Sequence, residues 1–263
     1  WVIPFMQRVL RETEGQARFR VCDTIGWGLP DPYAEIPWGV PRLISHLYQE
    51  TGAELEFHGH NDFGMATANS VAAWAYGCKR VNTAFAGLGE RTGNASLEQM
   101  VANLMRLYGD PGLNLEALAE IANLISSEVV PIAAQAPMIG NGIFTTQAGI
   151  HQTGIKRQQR APGGLIYLPY DPTIVGQNSV ALNRVGALSG MDGLVAVLNS
   201  EVNLQTGQPG TYKVTNAVVK KLYDHIHNAY DGHWEEVHGK YTYPRTSFFE
   251  PAELLGLARS LEM

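Results

Sequence analysis

Two histidines stand two residues apart in Phe57-His58-Gly59-His60-Asn61-Asp62. Glu54-Leu55-Glu56-Phe57 alternates polar and apolar just before them, and helix-forming sequence runs from Met65 to Tyr76 just after. The pair therefore sits where a strand ends and a loop begins. Side chains at i and i+2 of a strand point to the same face. Both imidazoles can then aim at one point, as two ligands of a divalent cation must. The plain alternative is a pair of histidines in a polar loop. The strand before them and the Asn-Asp after them favour metal.

A second stretch, Gly87-Leu88-Gly89-Glu90-Arg91-Thr92-Gly93-Asn94, follows the apolar run Arg80 to Ala84. Its glycines permit tight turns and close approach of backbone to a ligand. Glu90, Arg91 and Asn94 offer an acceptor, a cation and an amide oxygen beside the metal. Asn94 also stands where it can cap a helix starting near Ala95.

The elements that position these residues read as strand-helix units. A helix over Val2–Glu14 is ended by Gly15. Phe19-Arg20-Val21-Cys22 is a short strand closing at Asp23-Thr24-Ile25-Gly26, and a helix is expected from about Pro37 to Glu50. The histidine strand, the Met65–Tyr76 helix, the Arg80–Ala84 strand and a helix over Ala95–Leu107 complete the alternation. Strand starts near 19, 54 and 80 imply βαβ units on a parallel sheet, and the candidate ligands all fall at the C-terminal ends of strands. A (β/α)8 barrel and a doubly wound sheet both place their sites there, and periodicity does not separate them. The alternation stops after Leu107. Helices are expected over Asn114–Glu128, from Gly190, over Tyr212–Tyr230 and over Glu250–Leu261. The stretch from Pro131 to Thr146 reads as an extended linker, and Gly163-Gly164 marks a loop. The histidines at 225, 227, 233 and 238 read as a helical tail.

The composition is that of an ordinary soluble globular protein of 263 residues, 45% hydrophobic and 17% charged. No run of about 18 apolar residues marks a membrane span. The net charge of -6 and the lack of a basic tract argue against nucleic acid. Cys22 and Cys78 read as buried free thiols in a reducing compartment, and no signal peptide is visible, so a cytoplasmic location is expected. The first residue is Trp1 and a helix is already under way, so the natural beginning is expected to lie upstream.

These residues resemble the family of metal-dependent acyl-CoA condensing enzymes on a TIM barrel, which holds isopropylmalate, homocitrate, citramalate and Re-type citrate synthases and the related hydroxymethylglutaryl-CoA lyase. Asp23-Thr24-Ile25-Gly26, His58 to Asp62, Gly89 to Asn94, Ala148 to Thr153 and Tyr167-Leu168-Pro169 follow the family's order. The resemblance implies the α/β C-terminal part of a TIM barrel over residues 1–110, then a mainly helical lid subdomain over 111–263. It implies a divalent metal (Mn, Mg, Zn or Co) on His58, His60 and Asn94. Thr24, with Asp23 and Arg91, would contact a 2-oxo acid. Glu90 would serve in the acyl-CoA half of the site, and His151 with Tyr167 would form the catalytic pair. Acetyl-CoA would be the co-substrate in a Claisen-type condensation, and a homodimer the assembly. The family's first strand carries an Arg-Asp motif that has no counterpart in this sequence, so the N-terminal barrel half is expected in the same or another chain. Asp62-Phe63-Gly64, Ala72 to Cys78 and Lys221 to Asp224 look most like Re-type citrate synthase, with phosphinomethylmalate synthase as a close relative. Oxaloacetate or a close analogue is therefore the favoured 2-oxo acid, with isopropylmalate, homocitrate or citramalate synthase as the alternative. The rivals are a lyase running the reverse chemistry, a metal-dependent hydrolase and a non-catalytic truncated barrel.

Overall fold

In the computed structural model, the residues described are 1–109, 112–146, 148, 150–152, 154, 167–177, 184–231, 233–235, 240–242 and 244–262. The chain forms two compact units, Trp1–Gly140 and Asn141–Met263. The boundary read at 110/111 falls on residues outside those described, as do Gly163, Gly164 and His238.

The first unit is α/β. In chain order it holds α1 (Val2–Glu12), β1 (Arg18–Asp23), α2 (Val40–Thr51), β2 (Glu54–Gly59), α3 (Ala66–Ala75), β3 (Arg80–Asn82), α4 (Leu97–Tyr108) and α5 (Ala117–Glu128). The three strands pair in the order β1-β2-β3, all parallel, as the strand-helix alternation requires. Along β2 the residues alternate: Leu55 and Phe57 are buried, while Glu54, Glu56 and His58 face the other side. The buried face packs against Ile44 and Leu47 of α2, Ala73 of α3 and Met6 of α1. Each large apolar side chain buried there contributes about 1.5–3 kcal/mol.

The opposite face of the sheet carries charge. Arg20 bonds Glu56 at 2.7 Å, and Arg18 and Arg80 both reach Glu54. This alternation corrects the reading of Cys22. It shares the face of Arg18 and Arg20 and is exposed, whereas Cys78 is buried, its thiol pushed up to about 12 first by loss of hydration and then by Glu56. Helix α2 also starts later than expected, at Val40. Pro41 rather than Pro37 occupies its first turn, and Pro37 lies in the preceding loop. Its end at Gly52, with φ of 65°, is a left-handed cap.

The second unit holds α6 (Met191–Thr206), α7 (Ala217–Tyr230), a two-stranded antiparallel ribbon of β4 (His233–Glu235) and β5 (Lys240–Thr242), and α8 (Pro251–Glu262). Leu194, Leu198, Leu222, Ile226, Leu254 and Leu255 form its core. The ribbon corrects the helical-tail reading: the helix stops at Tyr230, and His233 lies in β4. No helix among the described residues is long and apolar enough to cross a membrane.

Candidate active site

The three parallel strands end side by side, and the loops that leave them interlock. His60 N–H donates to Asp23 O at 3.2 Å, and Asn61 N–H donates to Gly93 O at 2.9 Å. Two glycines make this closeness possible. At Gly26 (φ 68°) a Cβ would lie 2.9 Å from Asp62 N and His60 O, and at Gly93 (φ 93°) it would strike Gly87 O at 1.9 Å.

His58 and His60 converge as their spacing predicts. Their Nε2 atoms lie 3.3 Å apart, with the rings edge to face. Two nitrogens each about 2.1 Å from one cation at a tetrahedral angle stand about 3.4 Å apart. Asn82, at the end of β3 and level with His58 across the sheet, accepts from His58 Nδ1 at 3.0 Å. With Asn82 Oδ1 as acceptor, the Nδ1 proton is used in this bond and the Nε2 lone pair faces His60 Nε2, the second-partner support that metal-bound histidines need.

Asn94 pairs with His60 across an isolated antiparallel bridge. Its amide N–H donates to Leu88 O at 2.7 Å, while its Oδ1 is buried without a partner. A buried unpaired oxygen costs free energy unless something fills its lone pairs, and a hard cation would. The capping role expected of Asn94 belongs instead to Ser96, whose Oγ accepts from Gln99 N–H at 3.4 Å. The residues present thus fit a divalent cation with two imidazoles and one amide oxygen. Among the described residues no group of three or more His, Cys, Asp and Glu side chains adds a carboxylate to this set.

The expected substrate contacts divide. Thr24 is exposed at the end of β1. Asp23 is not open to a ligand in the same way: one carboxylate oxygen accepts from Trp27 N–H and the other from Gly28 N–H, each at 2.9 Å. It organises its own loop. Arg91 reaches the neighbouring loops instead. Its Nε and Nη2 hold both carboxylate oxygens of Asp62 at 2.8 and 3.0 Å, and Nη2 also donates to Thr24 O at 2.7 Å. This fork holds the Asp62 carboxyl below its ordinary value, chiefly by the hydrogen bond from Arg91. Glu90 projects into solvent, its side chain 84% exposed and 3.9 Å from Arg91 Nη1.

In the second unit His151 and Tyr167 stack, ring centroids 4.4 Å apart and 23° between planes. The structure therefore brings this expected pair together. Beside it, Gln152 is buried and its amide donates to Arg184 O at 3.4 Å.

Sequence reasoning missed Asn82, Asp62 and Glu98. Asn82 and Asp62 act on residues 24 and 29 positions away, where no local pattern points. Glu98 is buried in α4, bonded to Ser96 Oγ and to Ala86 N–H. A carboxylate two residues past a Ser helix cap was the one signal available for it.

Three curated relatives place these features in context. The chain is 33% identical over 210 residues to the citrate (Re)-synthase of Syntrophus aciditrophicus, covering 77% of this chain and 32% of that protein. It is 31% identical over 222 residues to homocitrate synthase AksA of Methanopyrus kandleri, covering 83% and 51%. It is 34% identical over 198 residues to the 2-phosphinomethylmalate synthase of Streptomyces hygroscopicus, covering 73% and 43%. The chain spans about a third to a half of the length of these relatives. The family described as HMGL-like matches residues 5–125, the stretch that holds all three strand-end loops, and this match together with the relatives supports the family that the sequence resembles.

Proposed function

We propose that this chain carries the cation-binding part of an acyltransferase that condenses acetyl-CoA with a 2-oxo acid and releases CoA. The observation that carries the reading is the convergence of His58 and His60 at 3.3 Å, with Asn94, whose Oδ1 is buried and unpaired, bridged to His60 through the main chain. The names of the relatives, synthases of citrate, homocitrate and phosphinomethylmalate, support the substrate class. Oxaloacetate or a close analogue is the favoured 2-oxo acid, on the likeness to Re-type citrate synthase.

His58, His60 and Asn94 would hold the cation, and imidazole with oxygen ligands suits Zn, Mn, Mg or Co. Bound there, it supplies Lewis-acid polarisation of the substrate carbonyl. Asn82 keeps the proton of His58 on Nδ1. The exposed Thr24 hydroxyl is proposed to donate a hydrogen bond to the substrate carboxylate at the strand ends. His151, stacked on Tyr167, is the group proposed to take a proton from the acetyl methyl. The methyl carbon then bonds to the keto carbon, the keto oxygen takes up a proton and becomes the hydroxyl, and water hydrolyses the thioester to free CoA as the thiol. Glu90 is proposed to act in the acyl-CoA half, a role its exposure leaves open to an incoming ligand.

Strands β1 and β3 each present a free edge among the described residues. Free edges invite pairing, so the proposal includes further barrel strands, in the same or another chain, and a homodimer as the assembly. Thiol release from acetyl-CoA by full-length protein, across a panel of 2-oxo acids, tests the reading. Release with oxaloacetate is expected; no release with any 2-oxo acid would refute it.

A further inference from the structure

Arg91 is the residue where expectation and geometry part most clearly. A cation at the strand ends reads as a contact for a substrate carboxylate. Yet its Nε and Nη2 point at Asp62 and at the Thr24 carbonyl, and Nη1 faces Glu90. A guanidinium has five N–H donors, and three of them are committed to protein. Its backbone sits at φ 55°, a conformation unusual for a side-chain-bearing residue, in the loop after β3. From there it bonds the loop after β2 through Asp62 and the loop after β1 through Thr24. Gly26 shows how tightly those two loops meet, since a Cβ there would touch Asp62 N and His60 O.

We infer that Asp62 and Arg91 are a positioning pair: they set the Thr24 main chain relative to the histidine pair, and Arg91 serves the substrate through Thr24. The inference rests on the proposed 2-oxo acid chemistry for its kinetic consequence, and on geometry alone for its structural one. Asp62 is the half that separates it from direct contact. If Arg91 bound the substrate itself, Asp62→Asn would free the guanidinium and leave binding intact or improved. As a positioning pair, losing either half has the same effect.

The test uses full-length protein carrying Asp62→Asn, Arg91→Gln, both changes together, and Arg91→Lys as the conservative variant. Amide hydrogen exchange over residues 23–29 and the KM for the 2-oxo acid are measured for each. Exchange is expected to quicken in all four. KM is expected to rise about tenfold to a hundredfold in each of the Asn and Gln variants, the scale of a lost charged hydrogen bond. The double variant is expected to be no worse than either single one, because the two act as one unit. Arg91→Lys keeps the charge but not the fork, and is expected to fall between wild type and Arg91→Gln. Metal stoichiometry is expected to match wild type throughout. Unchanged exchange, wild-type KM in Asp62→Asn beside a raised KM in Arg91→Gln, or multiplicative losses in the double variant would each overturn the inference. Should wild type release no CoA with any 2-oxo acid, the condensation reading fails by itself, and the exchange measurement decides the positioning pair.

Discussion

The strand-end loops of the first unit and the His151–Tyr167 segment of the second hold their chemistry by different means. In the first, several polar groups around the histidines are tied by short, directional bonds to another strand or strand-end loop: His58 to Asn82, Arg91 to Asp62 and Thr24, Asn61 to Gly93. The partners are 24 to 67 residues apart in sequence, and the parallel register brings them together. In the second, two aromatic rings stack face to face, and among the described residues the Gln152 side chain donates to Arg184 O at the longer distance of 3.4 Å. A site that must fix a cation needs donors set to within tenths of an ångström. A group that moves a proton tolerates a looser seat, provided it can approach. The contrast predicts that mutations in the first unit alter metal content or substrate affinity, while those in the second alter turnover.

The largest expected effect belongs to His151. Its replacement by Ala should lower kcat by about two to four decades, with metal content unchanged. Tyr167→Phe should cost less, and the pair together less than the product of the two. Single-turnover rates and metal analysis check both. A loss of metal in His151→Ala would erase the distinction between the units. Next comes the floor under the histidines. Phe57→Ala removes a side chain that is 1% exposed and should destabilise the first unit by about 3–5 kcal/mol, read from denaturant midpoints.

Asn82→Ala sharpens the comparison at smaller scale. It leaves His58, His60 and Asn94 in place and removes only the hold on His58 Nδ1. Metal affinity should fall about 10–100-fold, measured by competition with a chelator, and a wild-type affinity would mean that Asn82 is not the residue that orients His58. The smallest effect concerns the second unit alone. Arg245 grips Glu253 through both nitrogens at 2.7 and 2.8 Å, which pulls the Glu253 carboxyl below its ordinary 4.5, chiefly through that hydrogen bond. A depressed carboxyl stabilises the fold fully above its unfolded value and loses that contribution as pH falls through the folded one. The melting temperature should therefore drop a little as pH is lowered from about 5 towards 3. Arg245→Gln should flatten that slope; an unaltered slope would remove the pair from the account.

Much of the first unit was legible because its signals are local. Polar-apolar alternation before His58, the helix stop at Gly15 and the strand-helix rhythm all act within a few residues. The same alternation, carried one strand further back, would have placed Cys22 on the exposed face with Arg18 and Arg20. It was missed because the residue type suggested burial more strongly than the period suggested exposure. What the sequence hid is the set of pairings across strands. Asp23 and Arg91 look like ligand-binding residues by type, and only the fold shows both oxygens of Asp23 taken by backbone N–H groups and three of the five Arg91 donors taken by Asp62 and the Thr24 carbonyl. Asn94 and Ser96 both suit a helix cap, and the fold gave the cap to Ser96, leaving Asn94 with an unpaired oxygen. The ribbon of β4 and β5 was read as helix because the stretch after Tyr230 lacks a strong alternating run.

The central claim is that His58 and His60 hold a divalent cation at the strand ends. The direct measurement is the metal content of full-length protein carrying His58→Ala and His60→Ala together, after exchange into metal-free buffer. Stoichiometric metal in wild type and its loss in the double variant is the predicted result; undiminished metal in the variant would contradict it.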